Sequence, residues 1–327
     1  MTFNMNRKAK SDLLSKLILL ILIGILIYAS YFLYLNIPRE AQQLNVEIQN
    51  PPIENIPLMD VKQFYPNMKF NHNEITYLVN VRCNEQKKER MNLAFDEISY
   101  NLPLISFKET FENPDIKITC GNSAEPGKAI DEEHFIAGEG GAKEIIKTER
   151  YSIITNGEIL LYENPDIESI KCDYPNVEIH EVMHVFGFDH INDKRSIMYP
   201  LIESCEQKLD SSIIKTLSKI YSQPNLPDLY FEHLKIVKKG RYLDFNLTMK
   251  NSGSIDSEDF TLTILDDNTI ISERDFTGFK YGEGINFYAT NLKLKHLNPK
   301  EIKFVIDKNN QIKEIDENNN EAKVDLE

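Results

Sequence analysis

Residues 180–190 read His180-Glu181-Val182-Met183-His184-Val185-Phe186-Gly187-Phe188-Asp189-His190. The run fills every fixed position of H-E-x-x-H-x-x-G-x-x-H and holds three of the chain's seven histidines. On a helix, His180 and His184 stand on one face about one turn apart, so two imidazoles can meet one metal ion. Glu181 projects beside them as a base that is not itself a ligand. Gly187 takes a left-handed conformation at little cost, which ends the helix and turns the chain back. His190 then arrives from outside the helix as the third ligand. Three protein ligands leave a tetrahedral zinc one open position, which marks a catalytic site rather than a structural one.

The chain has 327 residues, enough for two soluble domains with additional segments. Hydrophobic residues make up 41%, which can supply a sizeable core. The net charge is −14 and unevenly spread, because Arg7, Lys8, Lys10 and Lys16 face only Asp12 before residue 37. The acidic remainder repels phosphate backbones, so no nucleic-acid partner is expected. An uncharged run from Leu17 to Pro38 follows the basic start. Its core, Leu17 to Asn36, is about 20 residues, the length that spans a bilayer as a helix. The reading is a transmembrane anchor over 17–38, with a cytoplasmic basic segment over 1–16. A signal peptide cleaved near Ala29-Ser30 is the alternative. Four cations before the span and only Arg39 closely after it place the N-terminus in the cytoplasm and the rest outside.

Pro38, Pro51, Pro52 and Pro57 with polar neighbours read as a stiff stalk over 39–65. Strands are expected at 75–81, 105–109 and 115–120, with a helix over 87–100. Tyr151–Thr155 and Glu158–Tyr162 flank Asn156-Gly157 and read as a hairpin. An edge strand within 135–155 could pair with an extended peptide. Gly138-Glu139-Gly140-Gly141 reads as a turn, and Asp131-Glu132-Glu133-His134 as a solvated acidic loop. The motif helix is expected from Pro175-Asn176 to Gly187, and a last helix from the N-cap Asp210 to Tyr221. Pro224 and Pro227 bracket a boundary. Beyond it Leu243, Phe245, Leu247 and Met249 alternate with polar residues, as do Phe260, Leu262 and Ile264, which suits an antiparallel sandwich. Cys83, Cys120, Cys172 and Cys205 suit two disulfides in an exported chain, with three pairings open.

Eight residues beyond His190 stands Met198, within Ser196-Ile197-Met198-Tyr199-Pro200. With this second feature, 66–222 resembles the metzincin clan of zinc proteases, in which a Met turn forms an apolar floor beneath the metal. The Met-Tyr-Pro form and the Asp210–Tyr221 helix look most like the matrixin branch. The resemblance implies an α+β catalytic domain: a twisted, mixed five-stranded sheet, an active-site helix and a small C-terminal subdomain. It implies Zn2+ on His180, His184 and His190, Glu181 as general base, and structural roles for Gly187 and Met198. The reaction implied is peptide hydrolysis by direct attack of water activated at zinc, on a protein or peptide substrate. In that fold Cys83 and Cys120 fall at the ends of neighbouring parallel strands, which implies the pairs Cys83–Cys120 and Cys172–Cys205. The chain departs from matrixins in having Ile191 where they usually have Ser, and it lacks their inhibitory P-R-C-G-x-P-D segment.

Pro227-Asp228-Leu229, Asn251-Ser252-Gly253, Val305-Ile306-Asp307 and Glu317-Asn318-Asn319-Asn320 resemble CARDB-type immunoglobulin-like adhesion modules over 227–327. That implies an all-β sandwich at a cell surface, with a possible surface ligand of its own. The reading is a single-pass zinc endopeptidase of the cell membrane. The alternative is a surface adhesion protein in which the sandwich does the binding and the protease fold is a scaffold. An intact Glu181 favours the enzyme.

Overall fold

The computed structural model describes residues 7–37, 40–51, 61–122, 136–163 and 172–326. Helix α1 (Arg7–Asn36) contains Leu14–Tyr34, an apolar stretch of mean hydropathy 2.5 that is exposed throughout. Its length and composition are enough to cross a bilayer, and a signal sequence has the same character.

Strands β1 (Gln42–Leu44) and β2 (Glu47–Ile48) come next. They overturn the expected stalk over part of its length. β1 pairs with Ile236–Lys238 and β2 with Ala322–Lys323, and Leu44 is buried in the C-terminal sandwich. The cause is edge pairing. Each sheet of the sandwich has a strand with open main-chain groups, and this segment fills both.

The central domain comprises β3 (Met68–Lys69), β4 (Glu74–Val79), α2 (Glu85–Asn101), β5 (Ser106–Glu109), β6 (Ile116–Asn122), β7 (Gly138–Lys147), β8 (Ser152–Glu163), α3 (Asn176–Val185) and α4 (Ser211–Tyr221). β5, β4, β6 and β8 lie side by side and parallel; β3 also joins β8 in parallel, and β7 runs antiparallel along β8. The Asn84 side chain caps α2 through Lys87 N, and α2 buries Met91, Ala94, Phe95 and Ile98. The expected hairpin at 151–162 is instead the single strand β8. Asn156-Gly157 sits mid-strand because α3 crosses there: a Cβ on Gly157 would lie 2.6 Å from Val185 Cγ1.

The C-terminal domain is a sandwich of β9 (Leu229–Lys239), β10 (Tyr242–Asn251), β11 (Phe260–Asp266), β12 (Thr269–Phe276), β13 (Gly284–Lys293), β14 (Glu301–Ile306) and β15 (Glu321–Asp325). The sheets run β1-β9-β10-β13 and β12-β11-β14-β15-β2. Period-2 alternation supplies the core, as in β10, where Leu243, Phe245, Leu247 and Met249 point inward.

The two domains meet at the start of β9. Arg150 Nε lies 2.6 Å from Asp228 Oδ2, and Thr148 Oγ1 donates to Ser252 O at 2.8 Å. Asp228 is fully buried. It also accepts from Ser252 Oγ, Asp316 N and Asn319 Nδ2, so the Asn318–Asn320 run before β15 helps hold this carboxylate. Lys69 Nζ, equally buried, donates to Asn225 Oδ1 in the linker at 2.7 Å.

Candidate active site

Both ends of α3 are tied down. At its start Glu178 is fully buried and takes a two-pronged hydrogen bond from Arg90 on α2, which also donates to Cys172 O and Tyr174 O. Asn176 Nδ2 donates to Gln207 O at 2.6 Å. At its end Gly187 has φ +86°, and a Cβ there would press on Met68 Sδ and lie 2.7 Å from Met68 Cε. The position needs glycine for backbone conformation and for space. Gln63 Nε2 donates to Phe186 O at 2.8 Å and to Met68 O, while its Oε1 accepts from Met68 N. Phe64 N donates to Gly187 O and Asp189 N to Lys62 O, so residues 62–64 line the turn that delivers His190.

The structure brings His180, His184 and His190 together. Their Nε2 atoms are 3.0, 3.2 and 3.3 Å apart. Neighbouring nitrogen ligands of a tetrahedral zinc, each about 2.0–2.1 Å from the metal, stand at about that spacing. His180 Nδ1 lies 2.6 Å from Ile197 O and His184 Nδ1 lies 2.8 Å from Phe188 O. Carbonyls only accept, so both Nδ1 atoms carry the proton and both Nε2 atoms turn a lone pair inward. Burial, then the neighbouring His184, pushes His180 down to about 3; burial also lowers His184. Both imidazoles are therefore neutral, the form that binds metal. The donor set fits a zinc ion.

Met198 lies fully buried beside this group. Its turn is laced to α4, since Ser196 Oγ donates to Asp210 Oδ2 at 2.6 Å and accepts from Met198 N, and Ile191 N donates to Met198 O. Asp210 does begin α4, but its side chain serves the Met turn rather than the helix amides. The structure pairs Cys83 with Cys120 and Cys172 with Cys205, the second bridge closing the chain on either side of the motif.

Glu181 is buried against β7. A Cβ on Gly138 would lie 2.6 Å from Glu181 Oε1, and Gly140 N–H donates to the Glu181 carboxylate. These glycines lie in a strand, which corrects the turn expected at 138–141. Glycine was needed for close approach to a helix, not for a bend. Burial pushes the Glu181 carboxyl up to about 8, the Gly140 bond opposing it and Glu139 and Glu178 adding to it. Residues 131–135, including the acidic Asp131–His134 loop, lie outside the described residues. Sequence reasoning missed Gln63, Arg90, Glu178 and Ser196. Each acts through a tertiary contact that carries no local pattern.

A family model described as Matrixin matches residues 69–222, and one described as CARDB matches 226–324. The chain joins a matrixin domain to a CARDB domain. The matrixin domain is of metallopeptidase type, and its histidine cluster is a candidate for the zinc on which such domains normally depend. Among solved structures, a CARDB domain from Pyrococcus furiosus crystallised in complex with di-metal ions is 20% identical, covering 31% of this chain and 87% of that one, with a TM-score of 0.26. A domain assigned to a cell surface protein of Methanosarcina acetivorans is also 20% identical, covering 31% and 93%, with a TM-score of 0.25. No curated protein matches the chain.

Proposed function

We propose that this chain is a zinc-dependent endopeptidase held in the cell membrane by α1, with the matrixin domain outside. The observation that carries the reading is the convergence of three imidazole Nε2 atoms on one point beside the buried carboxylate of Glu181. Zinc held there would supply the Lewis acidity that polarises a peptide carbonyl and acidifies water. His180, His184 and His190 would hold the ion, and the Ile197 and Phe188 carbonyls fix two of the rings. A cation on the three histidines would favour the charged form of the Glu181 carboxyl, which then accepts a proton from the attacking water and delivers it to the leaving amine as the C–N bond breaks. No acyl-enzyme forms. β7, on the open side of β8, offers main-chain groups to which an extended substrate adds as a further strand. Met198 and Gly187 shape the floor and the exit of the metal helix. Four cations before the span favour a cytoplasmic N-terminus, and two disulfides suit the oxidising side.

The test pairs zinc content with cleavage of casein, in the full chain and in Glu181→Ala. About one zinc per chain, with cleavage lost in the variant, is the expected result. Folded protein that takes up no zinc on reconstitution would sink the protease reading and favour the adhesion alternative.

A further inference from the structure

The sandwich has two ends of opposite character. β9 and β13 run away from the matrixin domain and β10 runs toward it. One end therefore holds Asp228, Ser252 and Gly282, where Arg150, Thr148 and Ile146 make contact. The other end holds the β9–β10 turn and the end of β13. The chain enters the sandwich at that second end, because Gln42, the first residue of β1, pairs with Lys238. Only five residues separate Gln42 from Asn36, the last residue of α1. At about 3.3–3.6 Å per residue the entry end lies within roughly 20 Å of the end of the span.

The entry end carries a surplus of cations in an otherwise acidic protein. Lys238, Arg241, Lys293, Lys295 and Lys300 enter no ion pair among the described residues. Of the acids at that end, Asp244 pairs with Lys239, Glu301 with Lys303 and Lys323, and Asp325 with Lys323, while Asp266 and Asp267 face His296 and Glu40 enters none of the described ion pairs. Arg241 Nη2 donates to Leu294 O and Lys295 O, which holds its guanidinium beside the Lys293–Lys295 segment. Cations gathered in this way attract an anionic surface, over about a Debye length. The opposite end instead carries Asp256, Glu258, Asp259, Glu283, Asp316 and Glu317.

We propose that the sandwich stands on the membrane by this basic end, with Lys238, Arg241, Lys293 and Lys295 against the phosphates of anionic lipid headgroups. The matrixin domain is then carried at the far end, one strand length out. β9 has 11 residues, so that height is about 35 Å. The sandwich, rather than residues 39–65, is the spacer. The substrates reached are peptide segments that other surface proteins hold at that height. The inference rests on the membrane-anchor part of the proposed function.

The four cysteines are all paired, so single introduced cysteines can be labelled. Asn298→Cys lies exposed in the loop of the basic end. Phe111→Cys lies exposed after β5, at the strand ends facing away from the sandwich. The full chain is reconstituted into phosphatidylcholine liposomes with and without phosphatidylglycerol, and energy transfer to a headgroup-labelled lipid is read. Transfer from position 298 is expected to exceed that from 111 severalfold and to rise with phosphatidylglycerol. Reversal of Lys238, Arg241, Lys293 and Lys295 to Glu should abolish that rise. Equal transfer from the two positions, or transfer from 298 indifferent to lipid charge and to the reversal, overturns the inference. A chain that does not float with the liposomes overturns the anchor itself and the inference with it, whatever its protease activity.

Discussion

A Cβ on Gly140 would stand 2.8 Å from the carbonyl carbon of Glu181 and 2.9 Å from its Cα, so β7 and α3 meet at a separation that only glycine permits. Gly140→Ala must push the edge strand away from the helix and with it the N–H that holds the Glu181 carboxylate. Displacements of about 1 Å at a reacting group cost on the order of 100-fold in rate. The expected outcome is a 10- to 100-fold loss of kcat on a peptide substrate, with zinc content unchanged, on the order of that estimate. Gly141→Ala, whose Cβ meets nothing within 4 Å, should leave kcat near wild type.

The Arg150–Asp228 pair joins the domains, with Arg150 nearly and Asp228 wholly buried. Arg150→Ala leaves that carboxylate facing Ser252, Asp316 N and Asn319 without its cation. Removing one partner of a buried pair costs about 3–5 kcal/mol. Calorimetry should show a lower unfolding temperature and the single transition splitting into two as the domains uncouple. One transition at an unchanged temperature would refute the role given to the pair.

β1 and β2 make residues 40–51 part of the sandwich. A fragment spanning 226–327 leaves the edges of β9 and β15 unpaired and removes Leu44 from the core. It should unfold at a lower temperature than a fragment in which 40–51 is fused to it, and it should self-associate more, as exposed edges do. Equal stability and equal dispersity of the two fragments would mean that the added strands contribute nothing.

Glu314 is buried in the sandwich, accepting from Leu229 N and from Asn320 Nδ2. Burial pushes its carboxyl from 4.5 up to about 8, against the pull of those two bonds. The folded state therefore binds the proton more tightly than the unfolded one. The stability this contributes is full below pH 4.5 and is lost as pH rises through about 8. Sandwich stability should fall between about pH 4.5 and 8 by on the order of a few kcal/mol and level off above that, and Glu314→Gln, which stays neutral, should flatten that fall. Urea unfolding across this range provides the check.

The histidine spacing, Gly187 and the sandwich strands were legible because each is a local rule: a helical period, a positive-φ position, a period of two. Met198 came instead from the resemblance to a family with a Met turn. The hairpin expected at Asn156-Gly157 and the turn at Gly138–Gly141 were misread because glycine serves two purposes. A sequence shows that a side chain is absent but not whether the space is needed for a bend or for a neighbouring helix. Val185 beside Gly157 and Glu181 beside Gly138 supply that answer.

By itself the sequence determined the spacing of the three histidines and Glu181 at residues 180–190 and the order of the domains, since both rest on residue type and position along the chain. Only the tertiary structure decided that residues 42–48 belong to the sandwich, that Gln63 and Arg90 hold α3 at its two ends, and which end of the sandwich faces the matrixin domain. Those depend on partners far apart in the chain: hydrogen bonds and buried charges are satisfied by whatever group the fold brings near, and no local pattern names that group.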